Sequence, residues 1–222
     1  MLFRSPKAEL RYETGGGRVT GAANFVGPNP PSGAQITWYQ RTRHLFGKLT
    51  VEVVDPSGKV IDELPASTHP GLNRVSWSMR LPRPVVPPAA QLAGAGTTGV
   101  RVLPGKYTVR ITKNGQVTEA PLEVVADARS PFTDADRQAR FDAALRVYDL
   151  FAAESALVQQ IMELRADIAE RKKATGAPVA ALDTLDQQLE EQRKLIVATK
   201  EGGAITGEER LREHTDTLYG AI

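Results

Sequence analysis

Cysteine is absent from this 222-residue chain, which excludes disulfide staples, thiol nucleophiles and cysteine metal centres. Stability must then come from apolar burial, for which the length and a 41% hydrophobic content suffice. Long hydrophobic runs are also missing, and none approaches the roughly 20 residues of a membrane-spanning helix. Charge of one sign is not in surplus: 28 Lys and Arg against 26 Asp and Glu leave a net +2, too little for a nucleic-acid surface. The longest basic run, Arg171-Lys172-Lys173, falls at the end of a predicted helix, where cations complement the helix dipole. His44, His69 and His214 fall in a turn, a loop and a helix, none with a ligand partner at i+2 or i+4, so no metal site is expected. The start, Met1 to Leu10, lacks the apolar stretch of a signal peptide, and fits either a cytoplasmic protein or the mature or excised part of an exported one.

What the chain does have is alternation. Ala34–Gln40 places Ile36 and Trp38 on one face and Thr37 and Tyr39 on the other. Lys48–Asp55 points Leu49, Val51 and Val53 inward, and Asp55-Pro56-Ser57-Gly58 turns it into Lys59–Leu64. After Pro70-Gly71, Leu72–Arg80 puts Val75, Trp77 and Met79 on a shared face. Val100–Leu103 reads as a short strand, and Pro104-Gly105 introduces Lys106–Thr112. Asn114-Gly115 then makes a hairpin with Gln116–Val125. Short strands with turns about every 8–12 residues, and no helix between them, predict an antiparallel immunoglobulin-like β-sandwich. Its span is residues 35–126, and residues 1–34, rich in Gly and Pro, read as an extended lead-in.

Leu81–Leu103 breaks the rhythm with Pro82, Pro84, Pro87 and Pro88, then Gly94, Gly96 and Gly99. A connection of that length is either functional or a plain crossing between sheets. Residues 133–222 read as a helical arm. Thr133 and Asp136 have capping-box spacing and open a helix running to about Ala174, roughly 60 Å long. Its stripe holds Phe141, Ala144, Leu145, Tyr148, Phe151, Val158, Ile161, Leu164 and Ile168. Thr175-Gly176-Ala177-Pro178 is a stop, a turn and a restart. A return helix follows, presenting Leu182, Leu185, Leu189 and Ile196 to the first and ending near Lys200. Gly202-Gly203 breaks it, and Thr206 with Glu209 opens a short terminal helix through Leu211, Leu218 and Tyr219.

Four runs together resemble a known module: Asn29-Pro30-Pro31-Ser32-Gly33-Ala34 before the Trp/Tyr strand, Asp55-Pro56-Ser57-Gly58-Lys59-Val60, Pro70-Gly71-Leu72-Asn73-Arg74-Val75-Ser76-Trp77, and Pro104-Gly105-Lys106-Tyr107-Thr108-Val109. It is the C-terminal module of large bacterial proteins that carry a BNR-repeat, sortilin-like or photosystem-assembly-factor-like β-propeller and are often labelled glycosyl hydrolases. The resemblance spans about residues 22 to 220, and implies an immunoglobulin-like or fibronectin-type sandwich followed by helices such as Thr206-Gly207-Glu208-Glu209-Arg210-Leu211, in a periplasmic or extracellular protein. Two departures matter. Ser78 stands where the family usually has an acidic residue, and no Asp-box repeat occurs, so any glycosidase activity belongs by family to a propeller this sequence lacks.

Chemistry is sparse. Gly94-Ala95-Gly96-Thr97-Thr98-Gly99 spells a dinucleotide fingerprint, but Pro-rich loop precedes it and a predicted strand follows, the reverse of the strand-to-helix context that binds a pyrophosphate. No cofactor is expected. No serine has a nucleophile-elbow context, and the paired carboxylates Glu190-Glu191 and Asp134/Asp136 lie on helix surfaces, so no catalytic residue is assigned. The long stripe exceeds what the return helix covers. Phe141, Leu145 and Phe151, with Pro84, Pro87 and Pro88 of the loop, therefore form a candidate protein interface; the alternative is that the sandwich covers the helix residues. Trp38 and Trp77 read as core, while Tyr39 is the candidate exposed aromatic for stacking on a sugar. The expected role is a non-enzymatic accessory subunit docking onto a larger extracytoplasmic or membrane-associated protein assembly, without nucleic acid and without a membrane span. The alternatives are a carbohydrate-binding module of a BNR-type glycoside hydrolase, or a hydrolase in its own right.

Overall fold

β-Branched and aromatic residues at every second position commit the first half of the chain to strands, because only a pleated backbone sends them all to one side. In the computed structural model, which describes residues 6–12, 32–175, 179–200 and 207–222, seven strands form. They are β1 (Ala8–Leu10), β2 (Ala34–Gln40), β3 (Leu49–Val54), β4 (Val60–Leu64), β5 (Gly71–Trp77), β6 (Gly105–Lys113) and β7 (Gln116–Ala126). One sheet has the order β1-β7-β6-β3-β4, and β2 pairs with β5 in a second. Ile36, Trp38 and Trp77 of the pair share one apolar core with Val51, Val53, Val109, Ile111, Leu122 and Val124 of the larger sheet. The rings of Trp77 and Tyr107 meet within it at 5.4 Å.

Two expectations for this half are corrected. Residues 8–10 are not surface lead-in: β1 pairs parallel with β7, Ala8 against Val124, so the ladders are not all antiparallel. The short strand holds because Ala8 enters the core and the Tyr12 amide, just beyond it, donates to Asp127 Oδ2 at 2.9 Å. Asp127 also takes two bonds from the Arg129 guanidinium, and these bonds hold its carboxyl well below the usual carboxylate range. The second correction concerns Val100–Leu103, which forms no strand. Arg101 makes an isolated bridge to Arg80, and the Val102 amide donates to the Met79 carbonyl at 3.0 Å. Met79 itself has left-handed backbone (φ 57°), which ends β5 at Trp77 while keeping the Met79 side chain in the core.

The second half is helical: α1 (Asp134–Thr175), α2 (Ala180–Ile196) and α3 (Leu211–Ala221). The capping box closes in both directions, since Thr133 donates from its amide and hydroxyl to Asp136 Oδ2 (2.8 and 2.6 Å) and the Asp136 amide returns a bond to Thr133 Oγ1 at 3.2 Å. α2 stops at Ile196, short of Lys200, and α3 begins only at Leu211, where the Arg210 amide donates to Glu213 Oε2 at 3.2 Å. Gly15–Gly17, the Gly27–Pro31 run, Gly176–Pro178, Gly202-Gly203 and Thr206 lie outside the described residues.

The chain divides into two compact units. One comprises Met1–Pro82 with Arg101–Arg137, the other Arg83–Val100 with Gln138–Ile222. Arg83–Val100 of the Pro/Gly loop, which connects β5 of one sheet to β6 of the other, therefore belongs to the helical unit.

Candidate interaction surfaces

The buried line of α1 runs Ala144, Val147, Phe151, Glu154, Val158, Ile161 and Ile168, with half-buried Arg165 and Lys172 in step. Those spacings alternate three and four, which is the seam of a coiled-coil-like packing. The stripe read from sequence differs at its edges, because Leu164 is exposed and Leu145 only half-buried. Toward its end the seam is met by α2, whose Leu189 and Ile196 pack with Val158 and Ile161. Arg165 Nε donates to Asp186 at 2.8 Å and its guanidinium also bonds Glu190, while Lys172 pairs with Asp183 at 2.6 Å. The Arg165 bond holds the Asp186 carboxyl low, and the Arg193 bond does the same for Glu190.

Earlier along α1, the covering element is one that sequence reasoning assigned to the outside. Pro84 and Pro87 are buried, while Pro82 and Pro88 are exposed. Ser155 Oγ donates to the Val85 carbonyl at 2.7 Å, and the Ala90 amide to the Ala198 carbonyl at 3.2 Å. α3 completes the cover: the Phe151 and Tyr219 rings meet edge-on at 5.7 Å, and Tyr219 Oη donates to the Thr98 carbonyl at 3.0 Å. Phe151 is fully buried. Phe151, Pro84 and Pro87 are therefore corrected from interface to interior, because the loop and α3 occupy the space the return helix cannot reach. Phe141 and Leu145 are half-buried.

The Gly94–Gly99 fingerprint makes a 3-10 turn over Ala95–Thr97, and the amides of Ala95, Gly96, Thr97 and Thr98 are already taken. Those of Ala95 and Gly96 donate to Asp216 of α3 at 3.4 and 2.8 Å. A cradle of amides that elsewhere holds a phosphate here holds the chain's own carboxylate.

A polar cluster sits under this loop. Glu154, Arg212, Glu213 and Thr215 are all buried. Thr215 Oγ1 donates to Glu154 Oε1 at 2.6 Å, Arg212 bonds Glu213, and Arg212 Nη2 donates to the Gln91 carbonyl at 2.7 Å. Glu154 Oε2 has no partner among the described residues. Burial pushes the Glu154 carboxyl up, against the Thr215 bond, while Glu213 adds to the push and Arg212 opposes it. Sequence reading missed Glu154 because a carboxylate interrupts an apolar line. The strict three-four spacing of its neighbours is the signal that places it there.

In the β unit four exposed large apolar side chains lie on the β2–β5 pair or in the loop that follows β2. Tyr39 and Leu72 are cross-strand partners on the outward face, while Trp38 and Asn73 beside them are buried. Leu45 and Phe46 follow in the loop after β2, which His44 ties down through its amide to the Thr68 carbonyl (2.9 Å) and its ring to the Gly47 carbonyl (3.0 Å). Leu72 is 73% and Phe46 85% exposed. Among the described residues no group of three His, Asp or Glu side chains is placed to hold a metal ion, and no helix is long and apolar enough to cross a membrane.

No family model and no curated protein sequence matches the chain. Among solved structures, CopC from Methylosinus trichosporium OB3b overlaps 45% of this chain and 80% of its own, at 12% identity and a TM-score of 0.25. An overlap that slight defines neither a shared fold nor a shared activity.

Proposed function

We propose that this chain is a non-catalytic interaction module, an immunoglobulin-like sandwich joined to a helical unit, that docks onto a larger extracytoplasmic or membrane-associated protein assembly. The strand order supports the sandwich: β3, β6 and β7 take the places of strands C, F and G, β4 that of C′, and β2 with β5 those of B and E. The Tyr107 hydroxyl donates to the Leu103 carbonyl four residues upstream at 2.8 Å, the hydrogen bond of a tyrosine corner. The likeness to the C-terminal module of bacterial β-propeller proteins is part of this proposal, and so is the extracytoplasmic setting.

The observation that carries the interaction role is the exposed set Tyr39, Leu45, Phe46 and Leu72. Large apolar side chains this exposed, two on the β2–β5 pair and two in a loop tied down by His44, add little to the unit's own core, and clustered surfaces of that kind serve as interfaces. Phe46→Asp with Leu72→Asp should leave the thermal melt of the β unit unchanged and abolish co-purification of the native partner from envelope membranes. Identical partners recovered with the variant would sink the proposal.

Tyr39 supports the second reading, a carbohydrate-binding surface, since its ring is half-exposed on a strand face beside polar Thr37 and Arg74. Saturable glycan binding by the intact chain, lost in Tyr39→Ala, would select that reading over the first.

A further inference from the structure

Beyond its buried seam, α1 carries a second row of large apolar side chains. Leu150, Leu157 and Leu164 recur every seven residues and are 39%, 49% and 52% exposed. They flank the buried line, one residue before Phe151, Val158 and Arg165, so α1 has a wider apolar face than α2, α3 and the loop cover. Between the leucines lie exposed Ala153 and Gln160, small or uncharged groups that let another helix approach. Leu164 continues into an apolar groove of about 220 Å³ between α1 and α2, shared with Leu185 and Leu189.

The charges at the two ends of this row select the occupant. Exposed Arg146 lies one turn before Leu150, and exposed Asp167 one turn after Leu164. A second α1 running antiparallel, with its Leu157 against this Leu157, brings Leu150 against Leu164 of the second copy and Arg146 against Asp167 of the second copy. The two-fold axis makes each of those contacts twice. A parallel pairing in register would instead set Arg146 against Arg146 and Asp167 against Asp167. We propose that two copies of this chain associate through α1 as an antiparallel, two-fold dimer centred on Leu157. Each copy's Leu150 then enters the mouth of the other's groove at Leu164 and Leu185, and the contact closes on itself as a two-fold interface must.

Sedimentation equilibrium of the full chain over a micromolar-to-millimolar series is the first test. A monomer–dimer equilibrium is expected, and a chain that stays monomeric throughout overturns the proposal. Leu157→Glu places two carboxylates at the axis and should leave only monomer, with a circular dichroism melt unchanged at concentrations where the wild type is itself monomeric; a dimer that survives this change uses another surface and overturns it. Arg146→Glu should weaken association by roughly tenfold, and the double variant Arg146→Glu/Asp167→Arg should restore it. Failure of that rescue counts against the antiparallel register. Because the sequence has no cysteine, Leu157→Cys should cross-link to itself under mild oxidation whereas Leu150→Cys alone should not. The cross-linking result stands even if Leu157→Glu fails to fold, and the reverse pattern overturns the proposal.

Discussion

Phe151→Ala is the most decisive perturbation of the helical unit, because the residue was an interface candidate by sequence and is interior by structure. Its ring is fully buried in the α1 seam and meets Tyr219 of α3 edge-on at 5.7 Å. Truncating a buried Phe costs about 3–5 kcal/mol, from lost apolar transfer and from the cavity left where neighbours relax only in part. For a unit of roughly 100 residues, each kcal/mol shifts the midpoint by about 4–8 °C, so a fall of at least about 12 °C is expected. The ring pair contributes about 0.5–1.5 kcal/mol of that, and should appear as coupling in a cycle of Phe151→Ala with Tyr219→Ala. Trp38 and Trp77 both lie in the β core, so tryptophan fluorescence follows the β unit while far-UV ellipticity follows the helices. The ellipticity transition should drop. A Phe151→Ala chain whose helices melt with the wild type would refute the seam and return Phe151 to the surface.

Three further perturbations follow from the same contacts. Glu154→Gln should raise helical stability at neutral pH: the folded carboxyl is raised, so its favourable contribution is complete below the unfolded value and is lost as pH rises through the folded one. The wild-type deficit against the variant should therefore vanish below about pH 4, and a deficit independent of pH would contradict the buried setting of Glu154. Taking the difference between the two chains cancels Asp186, Glu190 and Glu208, whose lowered values make their contributions fade on acidification instead. Asp216→Ala removes the acceptor for the Ala95 and Gly96 amides and should cost about 0.5–2 kcal/mol, the usual range for a lost cap, with faster hydrogen exchange at those amides; unchanged protection there would show that Asp216 does not hold the turn. Gly33→Ala should destabilise the β unit by at least about 2 kcal/mol in a fluorescence-monitored denaturant melt. Gly33 has φ +84°, and an added Cβ would fall 2.3 Å from the Trp77 carbonyl oxygen, so an unaffected melt would mean the Ala34–Trp77 register is not as described.

Periodicity made most elements legible in the sequence. β2 and the β6–β7 hairpin follow from alternation and from Asn114-Gly115, and α1 from an unbroken helical stretch behind the Thr133/Asp136 cap. These are local properties: a strand face, a turn's positive φ and a helix's first free amides are each decided within a few residues. What covers what was not local. Pro84, Pro87 and the Gly94–Gly99 run have no period, so nothing in them announces that they bind α1 and α3 rather than solvent. Only the folded chain brings Val85 to Ser155, Thr98 to Tyr219 and Gly96 to Asp216, across separations of 70 to 121 residues. The same holds for Ala8–Leu10, a three-residue strand too short to show alternation, which exists because β7 offers it an edge and Asp127 takes the Tyr12 amide. Glu154 is the sharpest case. Its place in the seam was written in the three-four spacing, but its burial required α3 and its Thr215 hydroxyl, a partner 61 residues away that no local pattern could supply.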